Sequence, residues 1–218
     1  MQDASENRAL MVERQVRRRG VTNQAVLDAM REVPREAFVP DAVRAFAYED
    51  SPLPIEAGQT ISQPFIVALM IDVAEVQPGD AVLEIGAGSG YAAAVMSRIA
   101  RRVYAIERHP ELAALAHARV RDLHYDNIEI RAGDGTHGWP EAAPFDAIIA
   151  SAGGPALPQV LKEQLEIGGV LVMPVGEAPG AQRLIKLKRL AANHYDEEDL
   201  GAVSFVPLIG AHGWPSEG

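Results

Sequence analysis

Residues 82–91, VLEIGAGSGY, hold an acid and three glycines at the spacing Glu84-x-Gly86-x-Gly88-x-Gly90. Val82, Leu83 and Ile85 have the apolar character of a buried strand, and the run from Ala92 to Ala100 favours helix. A strand that breaks on close-set glycines and resumes as a helix builds a nucleotide-binding turn. Without a Cβ, glycine lets the backbone bend sharply and approach a ligand closely. Nicotinamide-binding turns read G-x-G-x-x-G and aim a helix N-terminus at a pyrophosphate. Here the glycines sit one residue tighter and a carboxylate precedes them inside the strand. That carboxylate repels phosphate and attracts a sulfonium or ammonium. The pattern is the one expected for S-adenosylmethionine (AdoMet).

Further candidates follow later strand-like runs. VYAIE (103–107) ends in Glu107, seventeen residues beyond Gly90, where a carboxylate can accept both hydroxyls of a ribose. A solvated glutamate at a strand end would look the same in isolation. GDGTHGW (133–139) places Asp134 where it could accept an adenine amino group. Ser151, Ala152, Gly153 and Gly154 are small and leave space above a sheet. The histidines at 109, 117, 124, 137, 194 and 212 form no H-E-x-x-H and have no cysteine partner, so no metal site is expected. His117 and His124 fall on one predicted helix and read as surface residues. Trp139 and Phe145 read as core rather than as stacking partners for adenine.

The elements that must position these groups alternate. Strands are expected at 81–85, 102–107, 127–132, 145–151 and 168–174, with helices at 90–100, 110–123 and 156–166. Such alternation implies right-handed crossovers and a doubly wound, mostly parallel α/β sheet. Two tail runs, 184–190 and 203–209, read as an antiparallel hairpin, with HYDEED (194–199) as the exposed turn between them. The first 76 residues form a helical and loop extension. Helices are expected at 8–19 and 23–33, the second capped by Thr22 or Asn23 and ended by Pro34. A loop rich in Pro and Gly but interleaved with Phe38, Phe46, Tyr48 and Ile55 leads to a helix over 64–76, with Pro64 as its first residue. Ser62, two residues earlier, could cap that helix or act on a substrate, and the two roles are compatible. One domain is expected: extension 1–76, ligand-binding core 77–190 and tail 191–218.

At 218 residues and 48% hydrophobic content, the chain can bury a full core. A net charge of −10 argues against a nucleic-acid partner. The one basic cluster, Arg14, Arg17, Arg18 and Arg19, reads as a solvated helix face. No apolar run is long enough to span a bilayer. The polar N-terminus does not resemble a signal peptide, and zero cysteines exclude disulfides and thiolate chemistry. The expectation is a soluble cytoplasmic protein, acting as a monomer.

E-x-G-x-G-x-G, the acid closing the next strand and G-D-G together resemble the class I AdoMet-dependent methyltransferases. VPREAFVP (33–40), AYEDSPLPIEAGQTISQPFIVALM (47–70), QLEIGGVLVMPVG (164–176) and FVPL (205–208) narrow the resemblance to the protein-L-isoaspartate O-methyltransferase family, over nearly the whole chain. PLPIEAGQTISQP is the most specific segment. The resemblance implies a Rossmann-like class I methyltransferase fold, with methyl transfer from AdoMet, leaving S-adenosylhomocysteine (AdoHcy), to the free α-carboxylate of L-isoaspartyl residues in damaged proteins and peptides. It implies Ser62 as the active-site serine, with Ile61, Ser151 and Ala152 beside the acceptor. Gln59, Thr60, Glu84, Gly86, Ala87, Gly88, Glu107, Asp134, Gly135 and, more weakly, Gln182 would line the cofactor site. Two departures stand out: Ser151-Ala152-Gly153 replaces the family's T-A-A, and Ala87 replaces its commoner threonine.

Overall fold

The computed structural model describes residues 3–215 except residue 179; residues 216–218 of the expected tail and 1–2 of the extension lie outside them. In the extension, α1 (Ala4–Met11) runs into a π-helical turn (Val12–Val16) and a 3-10 turn (Arg17–Arg19), so the expected helix 8–19 is three short pieces. α2 (Gln24–Glu32) is capped by Asn23, whose side chain accepts the Ala25 N–H. The loop that follows carries a minimal ladder, β1 (Leu53–Pro54) against β2 (Thr60–Ile61), around a 3-10 turn at Glu56–Gly58. α3 (Pro64–Val73) starts with proline at its first turn.

The main sheet contains β3 (Ala81–Ile85), β4 (Arg102–Glu107), β5 (Ile128–Ala132), β6 (Phe145–Ala150), β7 (Leu165–Ala178), β8 (Ala181–Ala191) and β9 (His194–Val203). Their order is β5-β4-β3-β6-β7-β8-β9, parallel as far as β7 and antiparallel from there to the edge. α4 (Tyr91–Ser97), α5 (Pro110–Asp122) and the short α6 (Gln159–Glu163) make the crossovers. The chain winds outward from β3 to β5, then returns to lay β6 on the other side of β3. Strand order therefore reverses between β3 and β6, where open α/β sheets bind ligands beyond the strand C-termini.

Alternate residues along the strands feed opposite faces. Val82, Val103, Ala105, Ala147 and Val172 join the extension helices, α4 and α5 in one buried cluster that begins at Met11. Leu83, Ile85, Ile106, Ile148 and Leu171 join Trp139, Phe145, Leu161 and Leu208 in the other. Trp139 and Phe145 both pack edge-on against Tyr104, as core residues.

The tail corrects two expectations. The acidic run 194–199 is part of β9 and not a turn; the hairpin turns at Ala192 and Asn193 instead. Glu198 lies opposite Lys186 and Asp196 opposite Lys188, but both ammoniums pair with Glu75; the ion pair between β8 and β9 among the described residues is Arg183 with Asp199. Residues 204–209 run extended but join no ladder beyond isolated bridges. Gln182 fixes that stretch, accepting the Phe205 N–H at 2.9 Å and donating to the Phe205 carbonyl at 3.2 Å. His124 lies past the end of α5, exposed and at a positive φ of 59°.

Candidate active site

The glycine turn is built from β3 outward. Gly86 and Gly90 have φ of 84° and 88°, values a side chain resists, and they fold the chain from β3 into α4. The N–H groups of Gly86 and Ala87 donate to the Ile106 carbonyl at 2.8 and 3.1 Å, tying the turn to β4. At the end of β4, Glu107 is buried. One of its oxygens accepts the Gly88 N–H at 2.9 Å and the other the His109 N–H at 3.0 Å. Each oxygen keeps a lone pair for a diol.

Three adjoining spaces that share lining residues lie above this rim. The first is a cavity of about 660 Å³, lined by Gln59, Thr60, Gly86, Gly88, Glu107 and Gly135, together with His109 and residues 206–209, Trp214 and Pro215 of the tail. Its size suits a nucleoside-sized ligand. The third is a groove of about 840 Å³ between the loop, α3 and residues 200–206, of mixed character, with Arg19, Ser62, Gln63 and Ser151 set among apolar residues such as Phe65 and Leu69. Between them lies a throat of about 40 Å³, bounded by Ile61, Ser62, Glu84, Ala87, Tyr91 and Ser151. Thr60 borders all three spaces.

Ser62 does not cap α3. The cap position is Gln63, whose side chain donates to the Asp50 carbonyl at 3.1 Å, leaving the helix start without a side-chain cap. The Ser62 hydroxyl has no protein partner among the described residues and borders both throat and groove. Glu84 is fully enclosed. Burial pushes its carboxyl up to about 8, opposed by a hydrogen bond from Ser151 Oγ at 3.3 Å and reinforced by the charge of Glu107. Its second oxygen has no partner among the described residues.

Three expected contacts stand apart. Asp134 borders a neighbouring pocket, and its oxygens already accept the Thr136 N–H and hydroxyl on one side and the Ala211 N–H on the other. Burial raises its pKa, but these hydrogen bonds outweigh it and hold the carboxylate below its usual range. Gln182 is spent on Phe205, and Ala152 is buried behind Gly86; neither lines the three spaces. His109 and Trp214 were not singled out as site residues by their spacing. His109 carried one signal, its place two residues after Glu107. Trp214 carried none, because it reaches the cavity only when the tail folds back and its indole donates to the Gly153 carbonyl at 3.1 Å.

Residues 5–213 match the family model described as Protein-L-isoaspartate(D-aspartate) O-methyltransferase (PCMT). The chain belongs to that family. A relative in Pelobacter propionicus named protein-L-isoaspartate O-methyltransferase 2 is 55% identical over 207 residues, 95% of this chain and 92% of its own. One in Rhodopseudomonas palustris, named protein-L-isoaspartate O-methyltransferase, is 56% identical over 94% of each chain. Among solved structures, one titled protein-L-isoaspartate O-methyltransferase superposes with a TM-score of 0.85 at 28% identity, covering 96% of this chain and 67% of the other. A Plasmodium falciparum protein, titled a putative member in complex with AdoHcy, gives 0.80 at 25% identity over 93% and 98%. Both share the Rossmann-like methyltransferase fold. As a member of this O-methyltransferase family, the chain is an enzyme whose methyl donor is AdoMet. Its own residues fit that group: the large cavity ends in Glu107, poised for a diol, and at the throat an orphaned oxygen of buried Glu84 awaits a cation.

Proposed function

We propose that this protein methylates the free α-carboxylate of L-isoaspartyl residues in damaged proteins and peptides, the reaction its relatives are named for. The observation that carries this reading is the throat: a donor-sized cavity and an open groove meet where Ser62 and Glu84 face a common space. When bound, AdoMet supplies a methyl group on a sulfonium sulfur. Glu84 and Glu107 would hold that donor, Glu107 through the ribose and Glu84 by giving up its proton as the sulfonium arrives beside it. Gln59, Thr60, Gly86, Ala87, Gly88 and Gly135 would shape the cavity around it.

The acceptor needs no general base. An α-carboxylate ionises near pH 3.5, so it enters already deprotonated at neutral pH. Ser62 would donate a hydrogen bond that orients it, beside the uncapped start of α3, whose free N–H groups favour an anion. Ile61 and Ser151 would bound the acceptor on either side. The work left to the protein is alignment and exclusion of water, and alignment alone is worth up to about 7–11 kcal/mol. Away from the enzyme, the adjacent amide nitrogen attacks the ester carbonyl and expels methanol, and water then opens the resulting succinimide, in part to normal aspartate.

The groove is open at the surface, as a polypeptide acceptor requires. The net charge of −10 is unsuited to nucleic acid, and among the described residues no helix is long and apolar enough to cross a membrane. Action as a cytoplasmic monomer completes the proposal; the exposed large apolar residues Phe46, Leu115, Ile167 and Leu190 are scattered along the chain. The test is transfer of label from AdoMet to matched isoaspartyl and aspartyl peptides. Labelling of the isoaspartyl peptide alone is expected. Equal labelling, or none, overturns the assignment.

A further inference from the structure

Arg35 is the fully buried arginine of the described residues, at 0% exposure, and no carboxylate pairs with it. Burying a guanidinium away from acids is costly, and an aliphatic side chain would fill the same space without that penalty. Its bonds explain its presence. Nε donates to the Ala47 carbonyl at 2.8 Å, and Nη2 donates to the Ser62 carbonyl at 2.9 Å. Ala47 and Ser62 are the two ends of the loop that walls the throat. A single planar fork therefore clamps both ends. A lysine ammonium, a point charge without fork geometry, cannot hold two carbonyls in the same way.

The clamp is seated on the donor side. The guanidinium carbon lies 4.9 Å from the ring centroid of Tyr91, the first residue of α4 after the glycine turn. Tyr91 itself borders the throat. Arg35 thus joins the loop that carries Ser62 to the turn that carries the donor, with a positive charge one ring behind a space meant for an anion.

The geometry points to Arg35 as a positioning residue for methyl transfer, holding the Ser62 loop in register with the donor. This rests on the throat being the place of transfer, as proposed above. Arg35 touches neither reactant; it acts through Ser62 and Tyr91.

The full-length Arg35→Lys protein tests it, alone and combined with Ser62→Ala. With an isoaspartyl peptide, Arg35→Lys is expected to lower kcat/KM about tenfold or more, as misplacement of reacting groups does. Its affinity for AdoHcy should stay within about twofold of wild type, because Glu107 and the glycine turn, which make the main grip on the donor, share no hydrogen bond with Arg35. In the Ser62→Ala background the Arg35→Lys penalty should shrink to about twofold, the signature of two residues acting as one unit. Unchanged turnover, a parallel loss of AdoHcy affinity, or penalties that multiply would each overturn the assignment. If Arg35→Lys does not fold, the wild-type protein decides by side-chain nitrogen NMR. The Arg35 guanidinium signals should move when isoaspartyl peptide is added and stay still with AdoHcy alone; indifference to peptide overturns the proposal. A wild-type protein that fails to methylate the peptide overturns both readings, whereas active wild type with equally active Arg35→Lys overturns only this one.

Discussion

Ser151 Oγ donates to Glu84 Oε1 over 3.3 Å, joining the small residue after β6 to the acid inside β3. That contact crosses the point where strand order reverses and lies on the rim of the throat between donor cavity and acceptor groove. Among the described residues it is the single hydrogen bond from a side chain to an otherwise enclosed carboxyl, so the ionisation of Glu84 is set mainly by burial.

Stability without donor should therefore depend on Glu84. Its carboxyl lies at about 8 in the folded chain against an ordinary 4.5, so across that window the unfolded chain has lost a proton that the native chain retains. Rising pH then favours unfolding, and this contribution to stability, complete below 4.5, is lost as pH climbs through about 8. Melting curves of donor-free protein should show Tm falling between pH 5 and 8.5, by about 2–4 °C for each kcal/mol involved. Glu84→Gln should flatten that fall and lessen the preference for cationic AdoMet over AdoHcy. Parallel pH slopes in the two proteins would contradict this role.

Glu107 offers a cleaner binding test. Replacing it with glutamine removes a charged acceptor for the ribose, a class of hydrogen bond worth about 1.5–3 kcal/mol. Calorimetry should show AdoHcy affinity falling about 10- to 100-fold, with the fold retained. A loss below twofold would place the ribose elsewhere.

Ser62→Ala should separate chemistry from donor binding. The hydroxyl has no protein partner to lose among the described residues, so Tm should hold. Turnover should fall about tenfold, the worth of one orienting hydrogen bond, while AdoHcy affinity stays level. Turnover at the wild-type level would remove Ser62 from the mechanism.

The tail makes its own prediction. Trp214 walls the donor cavity and is anchored to Gly153, while Ala211 is anchored to Asp134. Trp214→Ala should weaken AdoHcy binding several-fold and speed hydrogen exchange over residues 205–212, leaving the sheet protected. Exchange confined to wild-type rates there would show that the tail is held without the indole.

The central sheet and its rim were legible because their signals are local. An apolar run, a glycine cluster and an acid at a strand end lie within a few residues of one another, and periodicity placed β3 to β6 within two residues of their observed ends. The edge strand was misread for a physical reason. Asp196 and Glu198 discourage a strand by composition, and the long backbone ladder with β8, helped by the Arg183–Asp199 pair, comes from a partner strand that local composition does not reveal. Residues 204–209 show the reverse case: β-branched and aromatic residues suited to a ladder, held instead by the Gln182 side chain and by backbone bonds to Gly153 and Trp214. Arg35 and Trp214 were illegible as site residues because each gains its role from segments far off in sequence. Asp134 follows from its motif, but nothing in the sequence shows that the tail would fold back to give its Ala211 N–H to one of the carboxylate oxygens.

The central claim is geometric, and a crystal structure of the ternary complex with AdoHcy and an isoaspartyl peptide tests it most directly. The account predicts the AdoHcy sulfur at the throat beside Glu84 and Thr60, its ribose on Glu107, and the peptide α-carboxylate on Ser62, entering from the groove beside α3. A sulfur lodged away from the throat, or a carboxylate bound on any side other than that of Ser62, would contradict it.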